Sequence, residues 1–89
     1  MTVPSPQLLK FPCDFPIKIM GLATNDFESR VVAIVGKYVD EVGVGAVTKR
    51  SSRGGKYISV TVAIEAKSQL QLDGIYRELG ADERILMVL

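Results

Sequence analysis

Two hydrophobic periods alternate along this chain in an order that few folds accommodate. Apolar side chains recur every second residue over 14–20, at helical spacing over 26–40, and every second residue again over 42–49 and 56–66. Helical spacing then returns after Ser68, and an apolar run, ILMVL, closes the chain. Period two sends successive side chains to opposite faces of a strand, whereas a 3.6-residue period lines one face of a helix. The reading is strand, helix, strand, strand, helix, strand.

Each element has its own markers. In the first strand Phe15, Ile17 and Ile19 share one face, with Pro16, Lys18 and Met20 on the other. Pro16 suits a strand start or an edge, so Ile17 is a candidate first regular residue. A turn at 21–24 leads to Asn25 as N-cap, with Glu28 three residues on to close a capping box. Phe27, Val31, Ile34, Val35 and Tyr38 then form an apolar stripe that runs to about Asp40. The strand at 42–49 carries Gly43 and Gly45, which point to a bend or bulge. The strand at 56–66 is the clearest: Ile58, Val60, Val62 and Ile64 alternate with Tyr57, Ser59, Thr61, Ala63 and Glu65. Ser68 caps the second helix with Gln71 at its third position, Leu72, Ile75, Tyr76 and Leu79 form its apolar face, and Gly80 ends it. The last strand covers 84–89.

This order predicts an α+β, ferredoxin-like βαββαβ sandwich. The four-stranded antiparallel sheet takes the order 4-1-3-2, and right-handed crossovers place two helices on one face. Residues 1–13, with Pro4, Pro6 and Pro12, read as a flexible N-terminal tail tethered through Leu8, Leu9 and Phe11. Residues 14–89 form the single domain. The open sheet face is expected to show Lys18, Met20, Tyr57, Ser59, Thr61 and Ala63.

Composition removes several function classes. With 11 basic and 10 acidic residues, the net charge of +1 creates no broad field for nucleic acid or membrane. Histidine is absent, which removes the commonest near-neutral base and zinc ligand. Cys13 is the only cysteine, so it supports neither an internal disulfide nor a thiolate metal set. The carboxylates, including the pairs Asp40-Glu41 and Asp82-Glu83, have no metal-loop or catalytic spacing and read as solubilising. No apolar run approaches the ~20 residues of a membrane span. The opening MTVPSPQLLK does not read as a signal peptide, so the expected compartment is the cytoplasm. No catalytic residue, metal or cofactor is expected.

Two sites remain as candidates. Lys49, Arg50, Arg53 and Lys56 bracket the hairpin SSRGG; with Ser51, Ser52 and Tyr57 they could hold an anion or an acidic partner. The hairpin is not a P-loop, since it lacks the lysine-serine/threonine ending and the strand-to-helix context. The turn with Gly21, Thr24, Asn25 and Asp26 precedes a helix N-terminus, where small anions and carboxylates dock. Tyr57 on an open sheet also fits base stacking, but a second aromatic and an RNP-type pattern are missing.

The stretches FPCDFPIKIMG at 11–21, KRSSRGGKYISVTVAIEA at 49–66 and IYRELGADERILMVL at 75–89 resemble the YbeD family of small uncharacterised bacterial proteins. The likeness spans roughly residues 8–89. It rests on Phe11, Pro12, Phe15, Lys18, Met20, Gly21, Ser51, Ser52, Gly54, Tyr57, Ser59, Val60 and the closing Met87-Val88-Leu89. Gly43, Gly45 and Cys13 fall outside the shared pattern. The resemblance implies a ferredoxin-like fold similar to the ACT regulatory domain, with no established activity to carry over. It makes strand-edge pairing and a ligand at the 21–26 turn worth testing.

The leading expectation is a non-enzymatic small domain, a regulatory or protein-partner-binding module. An ACT-like sensor of an amino acid or anion is the alternative, and a weak RNA-binding module comes third. A homodimer is compatible with each; nucleic acid is disfavoured and no membrane association is expected.

Overall fold

In the computed structural model, which describes residues 10–43 and 45–89, six elements follow in the expected order. They are β1 (Cys13–Leu22), α1 (Phe27–Gly36), β2 (Val47–Ser51), β3 (Tyr57–Ala66), α2 (Gln69–Gly80) and β4 (Ile85–Val88). The strands make one antiparallel sheet, β2-β3-β1-β4, which is the order 4-1-3-2 seen from the other edge. The fold is a ferredoxin-like βαββαβ α+β sandwich. The expected tether through Leu8 and Leu9, the prolines at 4 and 6, and Val44 lie outside the described residues.

The central pair β1–β3 is the spine. Its register runs without a break from Cys13 opposite Ala66 to Leu22 opposite Tyr57. Period two then sends Ile17, Ile19, Val60, Val62 and Ile64 to the helices, where all are buried. Phe27, Val31, Ile34 and Val35 from α1 and Leu72, Ile75 and Leu79 from α2 close over them. Each large side chain buried in this way stabilises the fold by about 1.5–3 kcal/mol before the entropy of ordering is subtracted. Cys13 shares the inward parity of Ala66 and is half-buried against the core.

Pro16 sits inside β1, opposite Ala63, so the strand begins at Cys13 rather than at Ile17. The exchange of N–H and C=O between Lys18 and Leu89 shows that even-numbered residues of β1 turn their backbone groups toward β4. Pro16 has the same parity but lies beyond the stretch that β4 covers, so the N–H it lacks has no strand to serve.

Three boundaries differ from the sequence reading. The N-cap of α1 is Asp26, not Asn25, and no side chain caps the helix. Glu28 therefore closes no capping box and reaches Lys49 instead, at 3.0 Å. The helix stops at Gly36, short of Asp40; Lys37 and Tyr38 donate to Ile34 and Val35 in a tightened last turn. A glycine there withdraws helix propensity just where Tyr38 swings onto α2 and lies against Gly74.

The second strand begins at Val47, not at Val42, and runs to Ser51. Ala46 donates back to Gly43 at 3.0 Å, ahead of the strand. The β-branched pair Val47-Thr48 is where regular pairing starts, with Val47 opposite Val62. At the other edge β4 slips by one residue between Met20 and Gly21, which leaves Leu86 bulged and exposed.

The second helix starts as expected. Ser68 Oγ accepts from the Gln71 amide at 3.1 Å. Gln71 Oε1 accepts from the amide of Lys67, one residue earlier than a standard capping box, and its Nε2 donates to the Tyr38 carbonyl. Gly80 is the last helical residue and Ala81 the C-cap.

Candidate functional site

The hairpin between β2 and β3 turns on Gly54 and Gly55, with φ of 88° and 72°. Only glycine adopts such angles at little cost, so the pair permits the tight reversal. The turn is internally bonded: the Ser52 amide donates to the Tyr57 carbonyl, Gly55 to the Ser52 carbonyl, and Tyr57 to Ser52 Oγ. These three donors are already bonded within the turn and do not cradle an anion.

The four hairpin cations do not form one cluster. Strand alternation sends Lys49 to the helix side, where it pairs with Glu28, and sends Arg50 to the open face beside Ser59. The Lys56 ammonium lies 5.5 Å from the Tyr57 ring centre, in cation–π range. Arg53 is exposed in the turn with Ser52, and Ser51 ends β2.

The sheet register joins Arg50 to a residue far away in sequence. One row across the open face reads Arg50, Ser59, Met20, Met87. The next reads Thr48, Thr61, Lys18, with Leu89 bonded to Lys18 beyond it. Lys18, Thr48, Lys49, Arg50, Ser59 and Thr61 line a shallow hollow of about 320 Å³. A smaller one joins it toward Met20, Ser52 and Tyr57. Among the described residues, neither Lys18 nor Arg50 forms an ion pair.

Apolar surface adjoins these cations. Met87 is 51% exposed, Leu89 48%, Leu22 44% and Tyr57 40%. The face therefore combines two unpaired cations, hydroxyls and a patch of flexible methionine and leucine. The hairpin and the open face are one surface. Sequence reasoning placed Lys18 and Met20 on this face but did not join them to Arg50, and it missed Met87 and Leu22. The missing information was register, because Lys18, Arg50 and Met87 are dozens of residues apart.

The second candidate, the 21–26 turn, is tied down internally. Asp26 pairs with Arg84 and accepts from Thr24 Oγ1 at 3.0 Å. The Arg84 guanidinium and the Thr24 hydroxyl hold the Asp26 carboxyl below the usual carboxylate range. Gly21 is buried, and a Cβ there would collide with the Phe27 ring and the Arg84 carbonyl. Asn25 is exposed. The turn holds α1 against the start of β4.

A hollow of about 690 Å³, larger than the two on the open face, lies on the helix side between α1 and the α2–β4 loop. Four of its charged wall residues are mutually paired, Arg30 with Asp82 and Lys37 with Glu78. Burial pushes the Tyr76 phenol up; its hydroxyl lies at 3.4 Å from the Leu89 carbonyl. Among the described residues no group of three or more His, Cys, Asp or Glu is placed to hold a metal ion. No described helix is long and apolar enough to cross a membrane.

Comparison with known proteins places this chain in a family. Residues 6–89 match the family described as "Protein of unknown function (DUF493)". The chain belongs to the DUF493 family. Relatives of this family include a UPF0250 protein of Paraburkholderia phytofirmans, 43% identical over 93% of each chain. Another, from Nitrosomonas europaea, is 42% identical over 93% of this chain and 95% of its own. A third, from Ralstonia nicotianae, is 40% identical over 99% and 91%. These are the YbeD-type proteins to which the motifs at 11–21, 49–66 and 75–89 pointed. The DUF493 fold is shared with the solution structure of HP0495 from H. pylori, with a TM-score of 0.69 and 14% identity over 98% of this chain and 88% of that one.

Proposed function

We propose that this DUF493 protein is a non-catalytic, cytoplasmic binding module that regulates a protein partner through its open sheet face. The partner presents carboxylates beside apolar side chains. The carrying observation is the row Arg50–Ser59–Met20–Met87 with Lys18 in the row beside it, since both cations lack a carboxylate among the described residues. Exposed cations at the rim of an apolar patch steer an acidic partner and set its register. Methionine adapts to the contour that docks on it. The sensor reading at the 21–26 turn has less support, because Asp26 and Thr24 are already bonded within the chain.

The test is site-specific photo-crosslinking in a bacterium whose own relative has been replaced by this protein. A benzophenone amino acid takes the place of Tyr57 on the open face, or of the exposed Ala33 on α1 as control. A discrete protein adduct is expected from position 57 and is lost on Lys18→Glu with Arg50→Glu. Equal adducts from both faces, or an adduct indifferent to the charge reversal, would overturn the proposal.

A further inference from the structure

The open face is not uniformly basic. Asp14 and Glu65 stand directly opposite each other on β1 and β3, both exposed. Like charges facing across a strand pair repel. Among the described residues neither forms an ion pair. Glu65 acts on Lys67 only at a distance, and that ammonium is bonded to Asp40. The nearest unpaired cation along the same strand face is Lys18. With a rise of about 3.4 Å per residue, Asp14 and Lys18 are roughly 14 Å apart along the strand, beyond ion-pair reach. The row between them is Pro16 opposite Ala63, two short side chains. The face therefore carries carboxylates at one end and cations at the other, too far apart to satisfy each other within one molecule.

We propose that a second copy of this chain covers the Asp14–Lys18 part of the face, related by a two-fold axis between the sheets, at right angles to the strands, above the Pro16–Ala63 row. This rotation keeps like strands superposed and reverses the rows. Asp14 and Glu65 of each copy then meet the Lys18 end of the other, with Arg50 in reach at its border. The contact is isologous, so every attraction occurs twice. The short Pro16 and Ala63 side chains let the sheets approach to the ~10 Å of a β-sandwich. A two-fold axis along the strands is disfavoured, because it would set Asp14 over Glu65. A uniformly acidic partner is repelled by the Asp14–Glu65 end, whereas the second copy matches both ends. The contact is polar, so it weakens with salt. This inference rests on the binding role proposed for the face in one respect: the dimer engages Lys18 and, at its border, Arg50, so self-association and partner capture compete for the same cations.

Sedimentation equilibrium of the full chain tests it, at low and at high salt. The unmodified protein is expected to dimerise at low salt, with a dissociation constant at least about tenfold higher in high salt. Asp14→Lys with Glu65→Lys makes the face wholly basic, and Lys18→Glu with Arg50→Glu makes it wholly acidic. Each double variant alone should be monomeric, and an equimolar mixture should form a heterodimer. Dispersed amide spectra of both variants show that they fold. A protein that stays monomeric at about 1 mM in low salt, or variants that dimerise like the unmodified chain, would sink the proposal. Absence of the dimer together with a charge-dependent adduct at position 57 removes self-association and leaves partner binding standing. A salt-sensitive dimer lost in both variants, with no adduct, does the reverse.

Discussion

Asp82 receives two donors from different parts of the chain, the Arg30 guanidinium and the Arg84 amide. Both favour the charged carboxylate and hold its pKa below the ordinary value. Arg30 is correspondingly raised by its bond to Asp82. In the unfolded chain the carboxyl returns to about 3.9. A depressed folded pKa contributes stability that is fully present above about pH 4 and is lost as pH falls through the folded value. Asp26, held down by Arg84 and Thr24, contributes with the same sign. Urea unfolding between pH 7 and pH 2 should show stability falling on the acid side. Asp82→Asn should make that fall shallower without flattening it, since Asp26 remains. An unchanged acid limb would show that the Arg30 pair contributes nothing. The sequence named Asp82-Glu83 only as a solubilising pair. The partner Arg30 lies fifty-two residues away, and no local spacing announces it.

The two helices show how far local signals reach at the scale of an element. At α2 the cap is written in a contiguous segment: Ser68 precedes the helix and its hydroxyl accepts from Gln71. Ser68→Ala should cost about 1 kcal/mol in urea midpoint analysis. A loss below about 0.3 kcal/mol would mean that the Gln71 bonds to Lys67 and Tyr38 hold the helix start alone. At α1 a similar local signal, Asn25 with Glu28, misled. Arg84 from the far end of the chain takes the Asp26 carboxylate, and Lys49 from β2 takes Glu28. Tertiary partners outcompeted a local cap that is itself worth only about a kcal/mol. Strand β2 failed for a related reason. Alternation over 42–49 passed through two glycines, which have no side chain to place on either face, and pairing starts only at Val47.

For the whole molecule, the open face is separable from the core that supports it. Lys18 and Arg50 are exposed and unpaired among the described residues, while the core lies on the other side of the sheet. Lys18→Glu with Arg50→Glu should therefore change unfolding stability by less than about 0.5 kcal/mol per site while abolishing the adduct at position 57. A loss of several kcal/mol would assign these cations to folding instead of recognition. The order of hydrophobic periods alone determined the element order, the sheet order and the core, because burial of one face per element leaves few topologies for six short elements. The shared motifs determined the family. Only the tertiary structure decided that Lys49 turns away from Arg50, that Lys18 and Met87 stand beside Arg50 and Met20, and that Asp14 and Glu65 oppose one another. Those neighbours are made by strand register, which depends on pairing between distant segments, and periodicity within one segment carries no record of it.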